Sequence, residues 1–426
     1  MRLRASVAIV CALLAVISSG CGGGSKHHGT STGSNAATTV TRTAAQGGGS
    51  GTSTSTPRGH PARTASNLGF PENATRNTTR VPGSGPVADA AGVALAVYPS
   101  VASGTHPTAV TIAPTDDWEA ALASSVLMAP PIHAPVLLSG HKALPAPTAD
   151  ALKHLAPTGS GSVSGAQVVL VGDVPKPSGL RAATIGGSDP YAAAAQIDRF
   201  ATAATGGHAS PDVVIASTAD PAYAMPAAGW AAESGDPILF VSPKSIPKPT
   251  VQALKAHGKP RIYVLGPPNV VSDALVKQLG SYGKVKRVSG SDPSANSVAF
   301  AVYRDPGCKF GQACAHLPGS FGWAMRSPGH GYTLLNPSQP LAAAASAALS
   351  GSGDYGPQLL VDNGSTLSKP VLNYFLNYAT PGYTQEGPTA AVYNHAWVIG
   401  NTATISVTAQ AEADQLLQAI PQTTSK

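Results

Sequence analysis

Short, continuous apolar runs alternate with Ala-rich segments along most of this chain, from about residue 80 to residue 420. The apolar runs do not alternate residue by residue with polar side chains, as a strand with one solvated face would. Continuous runs are typical of parallel strands that helices cover on both faces. The turns between them are rich in Gly, Pro, Ser and Asp. The pattern therefore predicts an α/β fold with parallel sheets.

The same succession of elements occurs three times. A glycine turn before an Ala-rich helix recurs at Gly83, Gly187 and Gly290, so the spacings are 104 and 103 residues. Three apolar runs follow each turn, at residues 109–113, 135–138 and 168–172, then 212–216, 237–240 and 262–266, then 332–335, 357–360 and 397–400. A nearly constant period of domain size indicates that one unit was copied. We predict three tandem Rossmann-like or Toprim-like units.

The repeats are assigned to residues 80–179, 180–283 and 284–421, and the third contains extra length at 304–331. Acidic residues mark several helix starts, because a carboxylate can accept the free N–H groups there. We expect Asp189 and Asp292 to cap the Ala-rich helices of the second and third repeats. Asp116, with Glu119 three residues later, predicts a capping pair in the first repeat.

The N-terminus predicts export. Arg2 and Arg4 precede the apolar segment 5–17, and small residues follow, which together indicate a signal peptide at 1–20. Cys21 resembles the acylated cysteine of a bacterial lipobox; the alternative is an ordinary signal peptide with a coincidental cysteine. Residues 21–68 are dominated by Gly, Ser, Thr and Ala, a composition that predicts a flexible tether. We therefore expect a lipid anchor on the outer face of the cell membrane.

Composition excludes several classes of protein. Removal of residues 1–20 takes away Arg2 and Arg4 and lowers the formal charge from +6 by two, to +4. No Lys/Arg cluster interleaves with aromatic residues, so nucleic acid is not an expected partner. The twelve histidines form no HExxH motif, and no GxSxG elbow or phosphate loop is present, so we predict no metal, no cofactor and no catalysis.

Two cysteines remain for the folded part, because Cys11 leaves with the signal peptide and Cys21 is the predicted lipid site. Cys308 and Cys314 lie in the extra length of the third repeat. In an oxidising compartment a disulfide between them is expected. A metal pair is the less favoured alternative, since no further cysteine completes a set of four ligands.

The repeats resemble the bacterial cell wall-binding repeat 2 family. The resemblance rests on the proline-led strands and on four further segments: 187–191 (Gly-Ser-Asp-Pro-Tyr), 290–292 (Gly-Ser-Asp), 263–272 and 402–406. It implies a noncatalytic module of three units around a pseudo-threefold axis, which anchors proteins to an anionic cell-wall polysaccharide through the Leu-Leu strands. In this chain, prolines stand where the family has a basic residue, at Pro86, Pro190 and Pro293.

Candidate ligand residues follow the proline-led strands, because ligands of open α/β sheets bind beyond the carboxyl ends of the strands. These candidates are Ser139, His141, Ser242, Lys244, Asp362 and Asn363. The strands themselves, 136–138, 238–240 and 359–360, are expected to be central core strands. Arg80 and Arg287, before the glycine turns, are further candidates for binding an anion. Trp323 is predicted to be an exposed aromatic residue, and Trp397 a core residue.

Together these features predict a noncatalytic, lipid-anchored envelope protein that binds an anionic wall polysaccharide through three repeats. A solute-binding lipoprotein of a transporter is one alternative, although such proteins have two lobes rather than three copies. A scaffold that has lost ligand binding is another. A wall hydrolase is a third, but the repeats take up almost all of the folded length.

Overall fold

The computed structural model describes residues 74–308, 314, 320–353, 355–361, 366–384, 387–392 and 394–418, with only the backbone described for the strands within 382–392. The predicted signal peptide, Cys21, the tether, Asp362 and Asn363 lie outside the described residues. Within them, no helix is long and apolar enough to cross a membrane.

Three four-stranded parallel sheets form the body of the protein, as the apolar runs predict. The first unit contains β2 (Val110–Pro114), β3 (Val136–Ser139), β4 (Val168–Val171) and β5 (Ala182–Ile185). The second unit contains β6 (Asp212–Ser217), β7 (Ile238–Val241), β8 (Arg261–Leu265) and β9 (Lys284–Val288). The third unit contains β10 (Gly331–Leu335), β11 (Tyr355–Leu360), β14 (His395–Ile399) and β1 (Thr78–Val81). Their spatial orders are β3-β2-β4-β5, β7-β6-β8-β9 and β11-β10-β14-β1.

The sheets are offset by one strand from the sequence repeats. Strands β5 and β9 stand at the start of the second and third repeats, yet each completes the sheet of the unit before it. Strand β1 starts the first repeat and completes the sheet of the third unit, where it pairs with β14. The three units are therefore joined in a closed ring. The repeat boundaries drawn from the sequence remain predictions.

Equivalent helices recur in each unit. The first helices are α1 (Pro86–Val97), α4 (Pro190–Ala204) and α9 (Pro293–Val302); the second are α2 (Trp118–Ala123), α5 (Pro221–Ala224) with α6 (Pro226–Ser234), and α10 (Pro340–Gly351); the third are α3 (Ala146–Leu155), α7 (Lys248–Ala256) and α11 (Lys369–Asn377). A fourth helix exists in two units, α8 (Asp273–Leu279) and α12 (Val407–Leu417). The first unit has the loop 172–181 at that place.

The second helices of the three units pack against one another at the centre. Glycines allow this close approach. A Cβ on Gly229 of α6 would lie 2.7 Å from the Ser350 hydroxyl of α10, and one on Gly351 would lie 2.7 Å from Met128 of the first unit. Each first helix also contacts the second helix of the preceding unit. This arrangement is the predicted pseudo-threefold one.

The predicted helix caps are confirmed at two of three places. Asp189 accepts a hydrogen bond from the Ala192 N–H at 2.9 Å, and Asp292 accepts one from the Ala295 N–H at 2.7 Å. The cap expected at Asp116 is wrong by one residue. Because α2 begins at Trp118, Asp117 is its N-cap and accepts from the Ala120 N–H at 2.8 Å.

Two expectations about the core are corrected. Strands β3, β7 and β11 lie at the edges of their sheets rather than at the centre. Nearly all of their residues are nevertheless buried, because the first helix of the same unit packs on each of them. Trp323 is 1% exposed and not a surface aromatic, since it packs edge-on against Trp230 at a ring separation of 5.2 Å.

The extra length of the third repeat holds the second and third units together. Phe321 stacks on Tyr263 of β8 with ring centroids 3.5 Å apart. Asp305 accepts hydrogen bonds from the Tyr263 hydroxyl at 2.5 Å and the Tyr303 hydroxyl at 2.9 Å. Cys308 and Cys314 form a disulfide in this segment. A second addition, the hairpin of β12 (Gly382–Thr384) and β13 (Gly387–Val392), was not anticipated from the sequence.

Candidate functional site

The sheet order places a crevice at the carboxyl ends of two neighbouring strands. In the first unit the chain passes from β2 to β3 on one side and then crosses to β4 on the other. Such a reversal leaves the carboxyl ends of β2 and β4 free of a connecting segment between them, which is where open α/β sheets bind ligands. Asp116 follows β2 and Asp173 follows β4 at this position. The first unit therefore presents acidic and carbonyl oxygens at its crevice.

His141, predicted from the sequence, reaches across this crevice from the end of β3. Its Nε2 lies 2.7 Å from the Asp116 carboxylate, and its Nδ1 lies 2.5 Å from the Asp173 carbonyl oxygen. The hydrogen bond with Asp116 raises the pKa of His141 and lowers the pKa of Asp116. Because both ring nitrogens face acceptors, the imidazolium form is favoured. The His141 side chain is 45% exposed, so solvent and ligands can reach this group.

Ser139 and Ser242 have structural surroundings. Ser139 is fully buried, and its hydroxyl donates to the Gly140 carbonyl at 2.8 Å. The Ser242 oxygen accepts from the Ser245 N–H at 2.9 Å and thereby closes the turn that carries Lys244. Lys244 itself is exposed. Of these three candidates, Lys244 is the one placed to meet a ligand from solvent.

A repeated hydrogen bond fixes the loops after the proline-led strands. A hydroxyl at the start of the third helix donates to the carbonyl at the end of the strand in every unit. The pairs are Thr148 to Leu138 at 2.5 Å, Thr250 to Phe240 at 2.6 Å and Ser368 to Leu360 at 3.2 Å. The loop containing His141 and the loop containing Lys244 are therefore anchored at both ends. Candidate residues of different units are joined by no hydrogen bond or ion pair within the described parts of the chain.

Arg80 and Arg287 are engaged inside the protein. Arg80 is fully buried and donates to the Gly400 carbonyl at 2.8 Å, the Asn401 carbonyl at 3.1 Å and the Gln410 side chain at 2.8 Å. Arg287 donates to the Gly266 and Val271 carbonyls, each at 2.7 Å. Each arginine thus holds the turn that leads into the fourth helix of its unit. Their donors are used by the fold, so the structure accounts for both residues without an anion.

The equivalent position in the first unit explains the exception seen in the sequence. Thr184 lies three residues before Gly187, as Arg80 and Arg287 lie three residues before Gly83 and Gly290. The first unit has no fourth helix, so no helix start there needs a guanidinium. Two further residues escaped the sequence analysis as site residues: Asp116, interpreted as a helix cap, and Asp173. Their position directly after β2 and β4 was the available signal.

Nothing in the described part of the chain groups three His, Cys, Asp or Glu side chains around a possible metal ion. The arrangement offers hydrogen-bond donors, acceptors and single positive charges on exposed loops. Such groups can bind the hydroxyls and anionic groups of a glycan.

Comparison with known proteins finds a family match within the second unit. Residues 184–276 match the family model "Cell wall binding domain 2 (CWB2)". No curated protein sequence matches the chain. Among solved structures, Cwp6 from Clostridium difficile is similar with a TM-score of 0.61 and 16% identity, over 80% of this chain and 48% of that one.

Cwp8 from Clostridium difficile is similar with a TM-score of 0.57 and 17% identity, over 80% of this chain and 52% of that one. The chain therefore spans about half the length of each of these two structures, with which it shares the fold.

The family match runs from the end of β5 to α8 and thus covers the second unit up to its last strand. Residues 184–276 therefore match the cell wall binding domain 2 family model, and they lie between two further units of the same architecture.

Proposed function

We propose that this protein is a noncatalytic envelope protein that binds an anionic cell-wall polysaccharide and is held to the membrane by a lipid on Cys21. The observation that carries the proposal is the CWB2 match at residues 184–276 within a ring of three equivalent units. The fold shared with Cwp6 and Cwp8 from Clostridium difficile supports the proposal.

The geometry supports binding by several weak contacts. Lys244 in the second unit is an exposed cation on an anchored loop, and His141 lies exposed on the equivalent loop of the first unit, where its ring nitrogens meet Asp116 and Asp173. A polymer with regularly spaced anionic groups can engage more than one unit of the same rigid ring. Linking weak sites in this way raises the overall affinity by about 10²–10⁴ over one site when the spacing allows simultaneous contact.

Sedimentation with purified cell walls tests the proposal. The purified full chain is mixed with walls that retain their anionic polymers and with walls from which those polymers have been extracted. We expect the protein to pellet with the first and to remain in solution with the second. Equal amounts in both pellets, or none in either, would contradict polymer binding, and the second result would favour a scaffold. Digestion of the walls by the pure protein would contradict a noncatalytic role.

A further inference from the structure

A cavity of about 660 Å³ lies outside the crevice described above, between the edge of the first unit and the helix α4 of the second. We call it the β5–α4 groove. One wall is the loop before β4, with Ser162 and Ser164, together with the edge strand β5. The other wall is the C-terminal part of α4, including the half-buried ring of Phe200. The groove combines hydroxyls, an aromatic surface and two cations.

The cations of the β5–α4 groove are Lys176 and Arg181, both exposed. None of the residues that line the groove is acidic. No ion pair joins either cation to a carboxylate within the described part of the chain. The groove therefore has a positive potential that its own lining does not neutralise, as expected for a site that receives an anion.

Arg181 is positioned by two glycines. A Cβ on Gly159 would lie 3.0 Å from Arg181 Nη2, and one on Gly165 would lie 3.1 Å from the guanidinium carbon. Both glycines have positive φ angles, 104° and 74°, which other L-residues adopt only with strain. The backbone of the loop before β4 thus packs closely against the guanidinium at these two glycines. A cation held in this way loses less conformational entropy when it binds an anion.

The second unit contains the equivalent groove, and there it is filled. Counting from Gly187 and Gly290, Phe200 corresponds to Tyr303 and Ala183 corresponds to Lys286. In the second unit the Lys286 Nζ lies 2.5 Å from the carboxylate of Asp305, which belongs to the extra length of the third repeat. The chain itself thus supplies a carboxylate and, in Phe321, a ring to the β9–α9 region. The first unit has no such segment.

We propose that the β5–α4 groove binds the anionic group of a sugar unit, a phosphate or a carboxylate, with Lys176 and Arg181 as its cations and Phe200 against the sugar. The inference rests on the proposed function and names a binding site for it. The ligand takes the place that Asp305 and Phe321 occupy beside the second unit. A planar guanidinium suits either oxyanion through paired hydrogen bonds.

Isothermal titration of the full chain with three defined oligomers tests the groove: a glycerol phosphate oligomer, a uronic acid oligosaccharide and a neutral glucose oligosaccharide. We expect one or both anionic oligomers to bind, more weakly at higher salt, and the neutral one not to bind. Lys176→Ala and Arg181→Ala should each weaken binding by about tenfold, since each removes one charge-assisted contact. Ala183→Glu should abolish it, because a carboxylate beside Arg181 reproduces the filled groove of the second unit.

Lys255→Ala and Lys277→Ala are the matched controls, because these exposed lysines lie on α7 and α8 away from the groove. They should leave the dissociation constant within about twofold of wild type. Thermal melts establish whether each variant is folded. If Ala183→Glu does not fold, the effect of Lys176→Ala on binding tests the proposal.

Unchanged binding in the folded groove variants, equal binding of the neutral oligomer, or no anionic binding by the wild type would overturn the groove assignment. Sedimentation with cell walls tests the proposed function independently of these titrations. If walls still retain the protein when these results overturn the groove, the proposed function stands and the site lies elsewhere.

Discussion

Burial controls the charge of single acidic residues in this protein. Glu119 in α2 is 8% exposed, and its burial raises its pKa to about 7. Asp236 is fully enclosed and accepts hydrogen bonds from the Trp230 indole at 2.7 Å and the Ser210 hydroxyl at 2.5 Å, and burial raises its pKa to about 6. A carboxyl group whose pKa is raised by folding binds its proton more tightly in the folded state. Its ionisation therefore opposes folding.

Glu119→Gln is expected to flatten the pH dependence of stability. In the wild type, Glu119 lowers the free energy of unfolding as the pH rises from its ordinary pKa of 4.5 through about 7. The loss approaches about 3 kcal/mol above pH 7, since one pKa unit corresponds to about 1.4 kcal/mol. Urea unfolding at pH 5 and pH 8 measures it. A pH dependence that is the same in Glu119→Gln and wild type would contradict this assignment.

Elements of this fold depend on single residues that lie far away in the sequence. The fourth helix is present in the two units that have an arginine at the position of Arg80 and Arg287, and it is absent where Thr184 stands. In the third unit that arginine comes from β1, more than 300 residues from the helix it holds. The guanidinium satisfies carbonyls that would otherwise be buried without a donor. We infer that arginine and helix form one structural feature.

Arg80→Ala should therefore cost about 3 kcal/mol or more, because several buried carbonyls lose their donor. Thr184→Ala removes the side chain at the equivalent exposed position and should change stability by less than about 0.5 kcal/mol. Denaturant unfolding monitored by circular dichroism compares the two. Equal effects of both substitutions would show that the guanidinium does not hold α12.

The strands of the fold were predictable where they are apolar. The runs that became β2, β3 and β4 and their equivalents are continuous and lie between helices, so their pattern identifies them. Strand β9, Lys284–Val288, has three charged residues among its five, and β5 is short and half exposed, so neither shows the continuous apolar run that identifies the other strands. Which sheet such an edge strand joins depends on contacts between units. The sequence alone therefore does not show that the sheets are offset by one strand from the repeats.

The sequence predicts which loops carry the candidate site residues, but not the contacts that their side chains make. Topology indicates that residues after parallel strands lie at one edge, and His141 and Lys244 lie there on exposed loops; that they bind a ligand stays a prediction. The contact of His141 with Asp116 depends on side-chain directions that spacing does not determine. Trp323 was misjudged because its segment is rich in Gly and polar residues, yet Trp230 of the second unit packs edge-on against it. Burial there comes from a neighbouring unit.

At the scale of the whole molecule, the ring is closed by its first strand. Thr78, Thr79, Arg80 and Val81 pair in parallel with residues 396–399 of β14. The main-chain N–H of Asn77 donates to Asp414 of α12 at 2.7 Å, and Gln410 donates to Thr78 at 3.0 Å. The third unit is therefore complete only when the beginning of the first repeat is present.

Deletion of β1 should destabilise the third unit. A chain that starts at Pro82 loses the ladder to β14 and the Arg80 contacts, and its melting temperature should fall by about 10 °C, as expected for the loss of about 4–6 kcal/mol in a chain of this size. A chain that starts at Ala74 is the control and should melt like the longer protein. Scanning calorimetry measures both. Identical melting of the two chains would show that β1 contributes nothing to the ring.

The parallel pairing of β1 with β14 also determines how the module responds to force. A pull on the segment that precedes Thr78 first loads the turn in which Ala74 bridges Thr79, and then acts along β1, whose hydrogen bonds to β14 run roughly across the strand axis. The bonds are then loaded in shear and must rupture together rather than one after another. Arg80, enclosed in the middle of the same short strand, adds its own contacts to that resistance. Mechanical tension applied on the N-terminal side therefore loads the contact between β1 and β14, which closes the ring of three units.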